Sequence, residues 1–113
     1  MSPDDRTRTG VVVLWWQGCP SWRRALSMVR DEMDRQGLDP ETLEVVEIID
    51  EADAARHGFP GSPTILVDGE DIQPPGPEQP TGLTCRVYRR RDGRVSPLPD
   101  PEDLRDVFAK MGT

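Results

Sequence analysis

The sequence has few of the residues that build disulfide scaffolds and metal sites, with two cysteines and one histidine among 113 residues. Two cysteines are too few for a disulfide framework, and in a reducing compartment they fit a reactive thiol, a redox pair or inert core atoms. The lone His57 argues against a standard zinc site, which needs four closely spaced Cys or His ligands. We therefore expect no bound metal and no cofactor.

The sequence also lacks long apolar runs and any excess of positive charge. No apolar stretch approaches the roughly 20 residues that cross a bilayer, and residues 1–5 do not begin a secretory signal. We therefore expect a cytoplasmic protein. The formal net charge is −7 and the pI is about 4.6. Because an acidic surface repels phosphate groups, the composition argues against nucleic acid and membranes as partners.

The length and composition predict one domain. At 12.7 kDa, with 35% hydrophobic and 31% charged residues, the chain has the size of a single compact unit with a modest core. We expect that unit to span residues 1–113, with residues 1–9 as a flexible tail and the proline-rich residues 73–82 as a loop. The sequence leaves the oligomeric state open.

The order of apolar patterns predicts an α/β fold. The continuous apolar run at 10–16 is typical of a strand covered on both faces of a sheet. Apolar residues at three- and four-residue steps from Trp22 to Met33 predict an amphipathic helix that ends at Gly37. The later segments predict a strand at 43–49, a helix at 51–56, a strand at 64–67, a turn at 68–69, a short returning strand at 70–72 and a helix from Pro101. We therefore expect a central mixed sheet with helices on both faces.

Cys19 lies between the first predicted strand and the first predicted helix. A thiolate at such a junction faces unpaired backbone N–H groups and the positive end of the helix dipole, which lower the pKa of a thiol below its free value of about 8.5. Arg23 and Arg24 follow within a turn and add positive charge. The alternative is that Cys19 is a small apolar residue filling a turn, but its position favours the reactive thiol.

Two stretches of the sequence resemble the thioredoxin-like superfamily. Residues 11–22 resemble its active-site strand and helix, and residues 50–69 resemble its second helix, cis-proline loop and third strand. The resemblance implies a thioredoxin-like fold with a cis peptide bond before Pro63, a form that costs little only before proline. It also implies that the loop of Ser62, Pro63 and Thr64 lies beside the reactive cysteine and pairs with extended thiol substrates.

Within that superfamily the sequence is most similar to short chains with a C-P near the start, a G-S-P-T-I/V-L-V-D-G block and a late C-R-x-Y. These motifs stand here at 19–20, 61–69 and 85–88. Some such chains are grouped by name with alkylmercury lyases. The sequence departs from the C-x-x-C pair of thioredoxin, because Trp22 takes the place of the second cysteine, and Val13 takes the place of the buried acid. Ordinary dithiol activity through a local pair is therefore not expected.

Cys85 is the candidate for the missing second thiol. If residues 70–72 form the returning strand of the hairpin, Cys85 comes back close to Cys19. If residues 83–88 form that strand instead, Cys85 starts at the opposite end, about 15 Å away for five residues at roughly 3.3 Å each. A disulfide needs Cα atoms within about 7 Å. The remaining alternative is a buried structural cysteine.

The sequence thus predicts a thiol–disulfide redox protein that acts on a protein or on a low-molecular-weight thiol or disulfide. Cys19 is the expected nucleophile and Cys85 the resolving thiol, and Trp22 either covers the helix start or stacks on a ligand. Two alternatives stay open: a non-catalytic binding module, and a protein that binds soft metals or organomercurials through its two thiols. The arginines at 89–91 form a solvated turn, or dock the carboxylates of a small thiol such as glutathione or mycothiol.

Overall fold

The computed structural model describes residues 10–76 and 80–111. Its strands are Val11–Trp15 (β1), Glu44–Glu47 (β2), Thr64–Val67 (β3), Glu70–Asp71 (β4), Tyr88–Arg89 (β5) and Val95–Ser96 (β6). Its helices are Trp22–Arg35 (α1), Glu51–His57 (α2) and Pro101–Met111 (α3), with a 3₁₀ turn at Pro40–Thr42. The predicted tail at 1–9 and the central residues 77–79 of the predicted loop lie outside the described residues.

Four of the strands form one mixed sheet in the order β2-β1-β3-β4. Strand β1 is parallel to β2 and antiparallel to β3, and β3 is antiparallel to β4. The predicted returning strand at 70–72 is therefore confirmed. Residues 83–87 lie outside the sheet, and β5 pairs with β6 in a separate hairpin, with Asp92 and Gly93 between the two strands.

The central strand β1 is covered on both faces, as its continuous apolar run predicts. Alternate side chains of a strand point to opposite faces, so β1 contributes to two separate apolar clusters. One cluster joins the sheet to α1 and α3, and contains Val11, Val13, Leu26, Val29, Met33, Leu104 and Phe108. The other joins it to α2 and the loop that follows, and contains Val12, Leu14, Ile48, Ala54 and Phe59. The molecule is thus a mixed α/β structure with helices on both faces of the sheet.

Local signals explain where the helices end. Helix α2 is capped by Asp50, whose carboxylate accepts the backbone N–H of Asp53 at 2.8 Å, and it ends at Gly58 in the left-handed conformation. Strand β2 is shorter than the predicted 43–49 and mostly exposed, because it lies at the edge of the sheet beside β1 alone. Among the described residues, no helix has the length and apolar character that spanning a bilayer requires.

Candidate dithiol site

The two cysteines meet at one edge of the structure although 66 residues separate them. The Sγ atoms of Cys19 and Cys85 lie 2.9 Å apart, and both side chains are free thiols. A disulfide bond is about 2.05 Å long, so the sulfurs need to approach by only about 1 Å to bond. Of the two placements that the sequence left open, the structure has the close one, because β4 is the returning strand.

Cys19 is completely buried, whereas Cys85 is exposed. The backbone N–H of Cys19 donates to the Trp16 carbonyl at 3.1 Å, which closes a turn after β1. Its thiol donates to the Ser62 carbonyl oxygen at 3.3 Å. The placement differs from the expected one, in which helix N–H groups face the sulfur. Helix α1 begins only at Trp22, and no backbone N–H in the described part of the chain is hydrogen-bonded to the Cys19 sulfur.

The loop beside Cys19 contains the predicted cis peptide bond between Ser62 and Pro63. Ser62 pairs with the chain's own later segment: its N–H donates to the Thr84 carbonyl at 2.8 Å, and its carbonyl accepts the Arg86 N–H at 2.8 Å. These bonds make a parallel bridge between Ser62 and Cys85. The backbone edge that the thioredoxin resemblance assigns to extended substrates is therefore occupied by residues 84–86.

The predicted binding residues Ser62, Pro63 and Thr64 are all buried. The Ser62 hydroxyl accepts the Trp16 N–H at 2.9 Å, and the Thr64 hydroxyl donates to the Gly61 carbonyl at 2.7 Å. Their polar atoms are therefore used inside the protein. Of the three, Ser62 contacts both cysteines, and none of them forms an open surface.

Gly61 permits the close approach of residues 84–86. Its φ is +142°, in the region that favours glycine. A Cβ atom at this position would lie 2.8 Å from the Arg86 backbone nitrogen and 2.9 Å from the Arg86 Cα atom. Such a contact is too short, so any larger residue at 61 would push the Cys85 segment away from Ser62.

Arg86 fixes the segment that carries Cys85. Its side chain is 4% exposed and makes a two-pronged ion pair with Asp71, at 2.8 and 3.1 Å. The same guanidinium donates to the Thr64 hydroxyl at 3.2 Å and to the Gln73 carbonyl at 2.6 Å. A planar guanidinium suits this set of partners, because its donors form a rigid fork. The network ties the segment after β4 to the cis-proline loop.

Tyr88 makes a second buried anchor two residues further on. Its hydroxyl donates to the Pro63 carbonyl at 2.7 Å, and the Arg86 guanidinium lies 4.6 Å from its ring centre. Burial raises the pKa of Tyr88 above its ordinary value. The phenol therefore stays protonated and donates its hydrogen bond across the physiological pH range.

The pKa of Cys85 is raised to about 11. The main cause is the hydrogen bond that its thiol donates to the Cys19 sulfur, followed by partial burial and by the charge that Cys19 carries when ionised. At neutral pH the exposed thiol is consequently protonated.

The predicted site residue Trp22 lies apart from Cys85. Its ring stacks on Trp15, with 4.1 Å between the ring centres, and the Arg23 guanidinium lies 5.1 Å from its centre. Trp22 lines a surface depression with Trp15 and Arg23, whereas Cys85 lines a different cavity. Trp22 is the first residue of α1 and packs against β1, and its stacking on a ligand stays a prediction.

The arginines at 89–91 do not behave as one solvated run. Arg91 binds three carboxylates of α3, and hydrogen bonds to Asp106 and Asp103 raise the pKa of its guanidinium. Arg89 has no ion pair within the described residues and lines the cavity beside Cys85. Only Arg89 therefore matches the alternative in which this run docks a small thiol.

The sequence reasoning missed the roles of Arg86, Asp71 and Tyr88. Asp71 stands in the predicted returning strand at 70–72 and Arg86 in the C-R-x-Y motif, and neither position by itself predicts an ion pair. The available signal was alternation, since Arg86 and Tyr88 share one side of the extended segment while Cys85 and Val87 share the other. The inward pair is buried and the outward pair is exposed.

No group of three or more His, Cys, Asp or Glu side chains in the described parts of the chain is arranged to hold a metal ion. Comparison of the chain with family models, with curated proteins and with solved structures finds no match in any of the three. The function must therefore be argued from the geometry of the site.

Proposed function

We propose that the protein is a thiol–disulfide redox protein of thioredoxin-like type, in which Cys19 and Cys85 alternate between two thiols and one disulfide. The observation that carries the proposal is the 2.9 Å separation of the two sulfurs, beside a cis-proline. The sheet order β2-β1-β3-β4, with a cysteine between β1 and α1, supports the thioredoxin-like part of the proposal.

The different burial of the two sulfurs sets the order of the reaction. An incoming disulfide RSSR meets exposed Cys85 first. The small fraction of Cys85 that is ionised at neutral pH attacks one sulfur, releases RS⁻ and forms a mixed disulfide. The Cys19 thiolate then attacks the Cys85 sulfur and releases the second RS⁻. The two cysteine protons go to the two RS⁻ groups, so one disulfide is reduced as one is formed. This order exchanges the roles predicted from the sequence, because Cys19 lies beneath the 84–86 segment.

The separation of the two sulfurs lies about midway between the length of a disulfide bond and the spacing of two thiolates on one metal ion. Two thiolates that bind one ion at about 2.3 Å each, at a tetrahedral angle, stand roughly 3.7 Å apart. The Cys19 and Cys85 sulfurs are closer than that, at 2.9 Å. The soft-metal alternative would need the anchored 84–86 segment to move outward.

Two single-cysteine variants test the proposal and the order of attack. With an uncharged small disulfide as oxidant, Cys19→Ser should accumulate a mixed disulfide on Cys85, because no second thiol resolves it. Cys85→Ser should react slowly or not at all while folded, because Cys19 is buried. Intact-mass spectrometry reads both results, and alkylation in denaturant controls for the presence of each thiol. A folded protein in which neither variant forms a mixed disulfide would favour the binding module.

A further inference from the structure

If Cys85 reacts with a disulfide as proposed, the cavity that it lines indicates which substrates can reach its sulfur. It has a volume of about 630 Å³, within the range of small-molecule sites. Its lining includes Cys85 and, around it, Glu51, Arg89, Val87 and Val95. The aliphatic side chains of Val87 and Val95 are both exposed, at 66% and 64%. The exposed sulfur therefore lies in a pocket with both apolar and charged walls.

Arg89 is the uncommitted positive charge of this cavity. Its backbone is fixed by the Gln73 side chain, which accepts the Arg89 N–H at 2.7 Å and donates to the Arg89 carbonyl at 2.9 Å. Its guanidinium has no carboxylate at ion-pair distance among residues 10–76 and 80–111, whereas Arg86 and Arg91 are both paired. A guanidinium without such a partner can bind a carboxylate from solution.

Glu51 supplies the opposite charge on the same cavity. It stands in the first turn of α2, and its carboxylate accepts the Leu83 N–H at 3.4 Å. Arg89 and Glu51 line the same cavity, so a ligand that carries both a carboxylate and an ammonium group is complementary to it in charge. Amino acids and short peptides carry both groups.

The cis-proline edge excludes a different class of substrate. An extended polypeptide would need the Ser62 N–H and carbonyl, but Thr84 and Arg86 already use both. Gly61 and the buried Arg86–Asp71 pair hold that segment in place. A substrate must therefore reach Cys85 from the cavity side.

We propose that the Cys19–Cys85 pair exchanges with small disulfides of amino-acid or short-peptide thiols, with the substrate carboxylate on Arg89 and its ammonium on Glu51. The Cys85 thiolate attacks one substrate sulfur and releases one small thiolate, and Cys19 then releases the second, as in the proposed function on which this inference rests. No further oxidant or reductant is needed for this half of the cycle.

The test compares two probes, glutathione disulfide and uncharged hydroxyethyl disulfide, by the rate at which the Cys19–Cys85 disulfide forms. Arg89→Gln should slow the reaction with glutathione disulfide roughly two- to fivefold, the range of an exposed ion pair, and leave the uncharged probe unaffected. Arg94→Gln is the matched control, since Arg94 lies on the same hairpin, is 84% exposed and is not part of the cavity lining. Molar salt should abolish the difference between wild type and Arg89→Gln.

Three outcomes would overturn the inference. Equal rates for Arg89→Gln and wild type with glutathione disulfide would remove the role of Arg89. Faster oxidation by an extended peptide disulfide than by glutathione disulfide would remove the small-substrate class. Both would leave the proposed function standing, provided that the uncharged probe oxidises the pair. Failure of every probe to oxidise the folded wild type would refute the proposed function and the inference together.

Discussion

Two arginines five residues apart hold the segment between β4 and α3, and they do so in different surroundings. Arg86 is 4% exposed and pairs with one carboxylate, Asp71, which is itself 11% exposed. Arg91 is 46% exposed and pairs with three carboxylates of α3. Exposed pairs are screened by water and salt, whereas removing one partner of a buried pair leaves a charge without compensation. The comparison suggests that burial, and not the number of ion pairs, decides which arginine positions Cys85.

The largest loss of unfolding free energy is expected from Arg86→Met. Breaking a buried ion pair by removing one partner costs about 3–5 kcal/mol, because Asp71 is left without its counter-charge. Urea unfolding should show this loss, and the folded fraction should form the Cys19–Cys85 disulfide more slowly. Arg86→Lys keeps the charge without the two-pronged geometry and should fall between wild type and Arg86→Met. An unchanged urea midpoint for Arg86→Met would refute the account of this anchor.

The next largest effect is expected on the pKa and alkylation rate of Cys85, the neighbour of Arg86, when Cys19 is replaced by serine. In the wild type, alkylation of Cys85 should rise with pH toward a pKa of about 11. Cys19→Ser removes the hydrogen bond and charge that raise this pKa, so the pKa should fall toward the ordinary value. A fall of about two pKa units raises the thiolate fraction of Cys85 at pH 8 by roughly 100-fold. A thiolate of lower pKa is a weaker nucleophile, which offsets about tenfold of that gain. The alkylation rate of Cys85 at pH 8 should therefore rise roughly tenfold. The alkylation rate of Cys85 would be measured from pH 7 to 11 in the wild type and in Cys19→Ser. Equal rates for the two proteins across this range would contradict the prediction.

A smaller loss is expected from Tyr88→Phe. The variant keeps the buried ring under Arg86 but removes the hydroxyl that donates to the Pro63 carbonyl. A buried acceptor left unpaired costs about 1–3 kcal/mol. Urea unfolding should place this variant between wild type and Arg86→Met. Stability equal to that of the wild type would indicate that water replaces the hydroxyl.

The smallest loss of unfolding free energy is expected from Arg91→Gln, although Arg91 makes three ion pairs and Arg86 pairs with one carboxylate. Its ion pairs are exposed, so its urea midpoint should stay close to that of the wild type, and any difference should disappear at high salt. The rate of Cys19–Cys85 disulfide formation should be unchanged. A loss as large as that of Arg86→Met would reverse the comparison between the two arginines.

The local elements of the fold could be predicted from the sequence, and the contacts of the site only in part. The apolar run of β1, the periodicity of α1 and the Asp68-Gly69 turn are short-range signals, and the cis bond before Pro63 followed from the thioredoxin resemblance. The meeting of Cys19 with Cys85 depends on which segment returns beside β3, a long-range choice that the sequence left open.

The burial of Cys19 could not be predicted, because it depends on a segment more than 60 residues away. Its position after β1 suggested an exposed thiol near helix N–H groups. In the structure the 84–86 segment covers it, held there by the space at Gly61 and by the Arg86–Asp71 pair. None of these contacts is visible in the pattern around Cys19 itself, which is why the predicted order of attack differs from the proposed one.

The proposed redox pairing of Cys19 with Cys85 can be read from a peptide map of the oxidised protein. Folded wild-type protein would be treated with excess hydroxyethyl disulfide, blocked, digested without reduction and analysed by mass spectrometry. If the two cysteines form one redox pair, the map contains a single internal cross-link that joins the peptides of Cys19 and Cys85 and is lost on reduction. Recovery of Cys85 only as a stable mixed disulfide, with Cys19 still a free thiol, would contradict it.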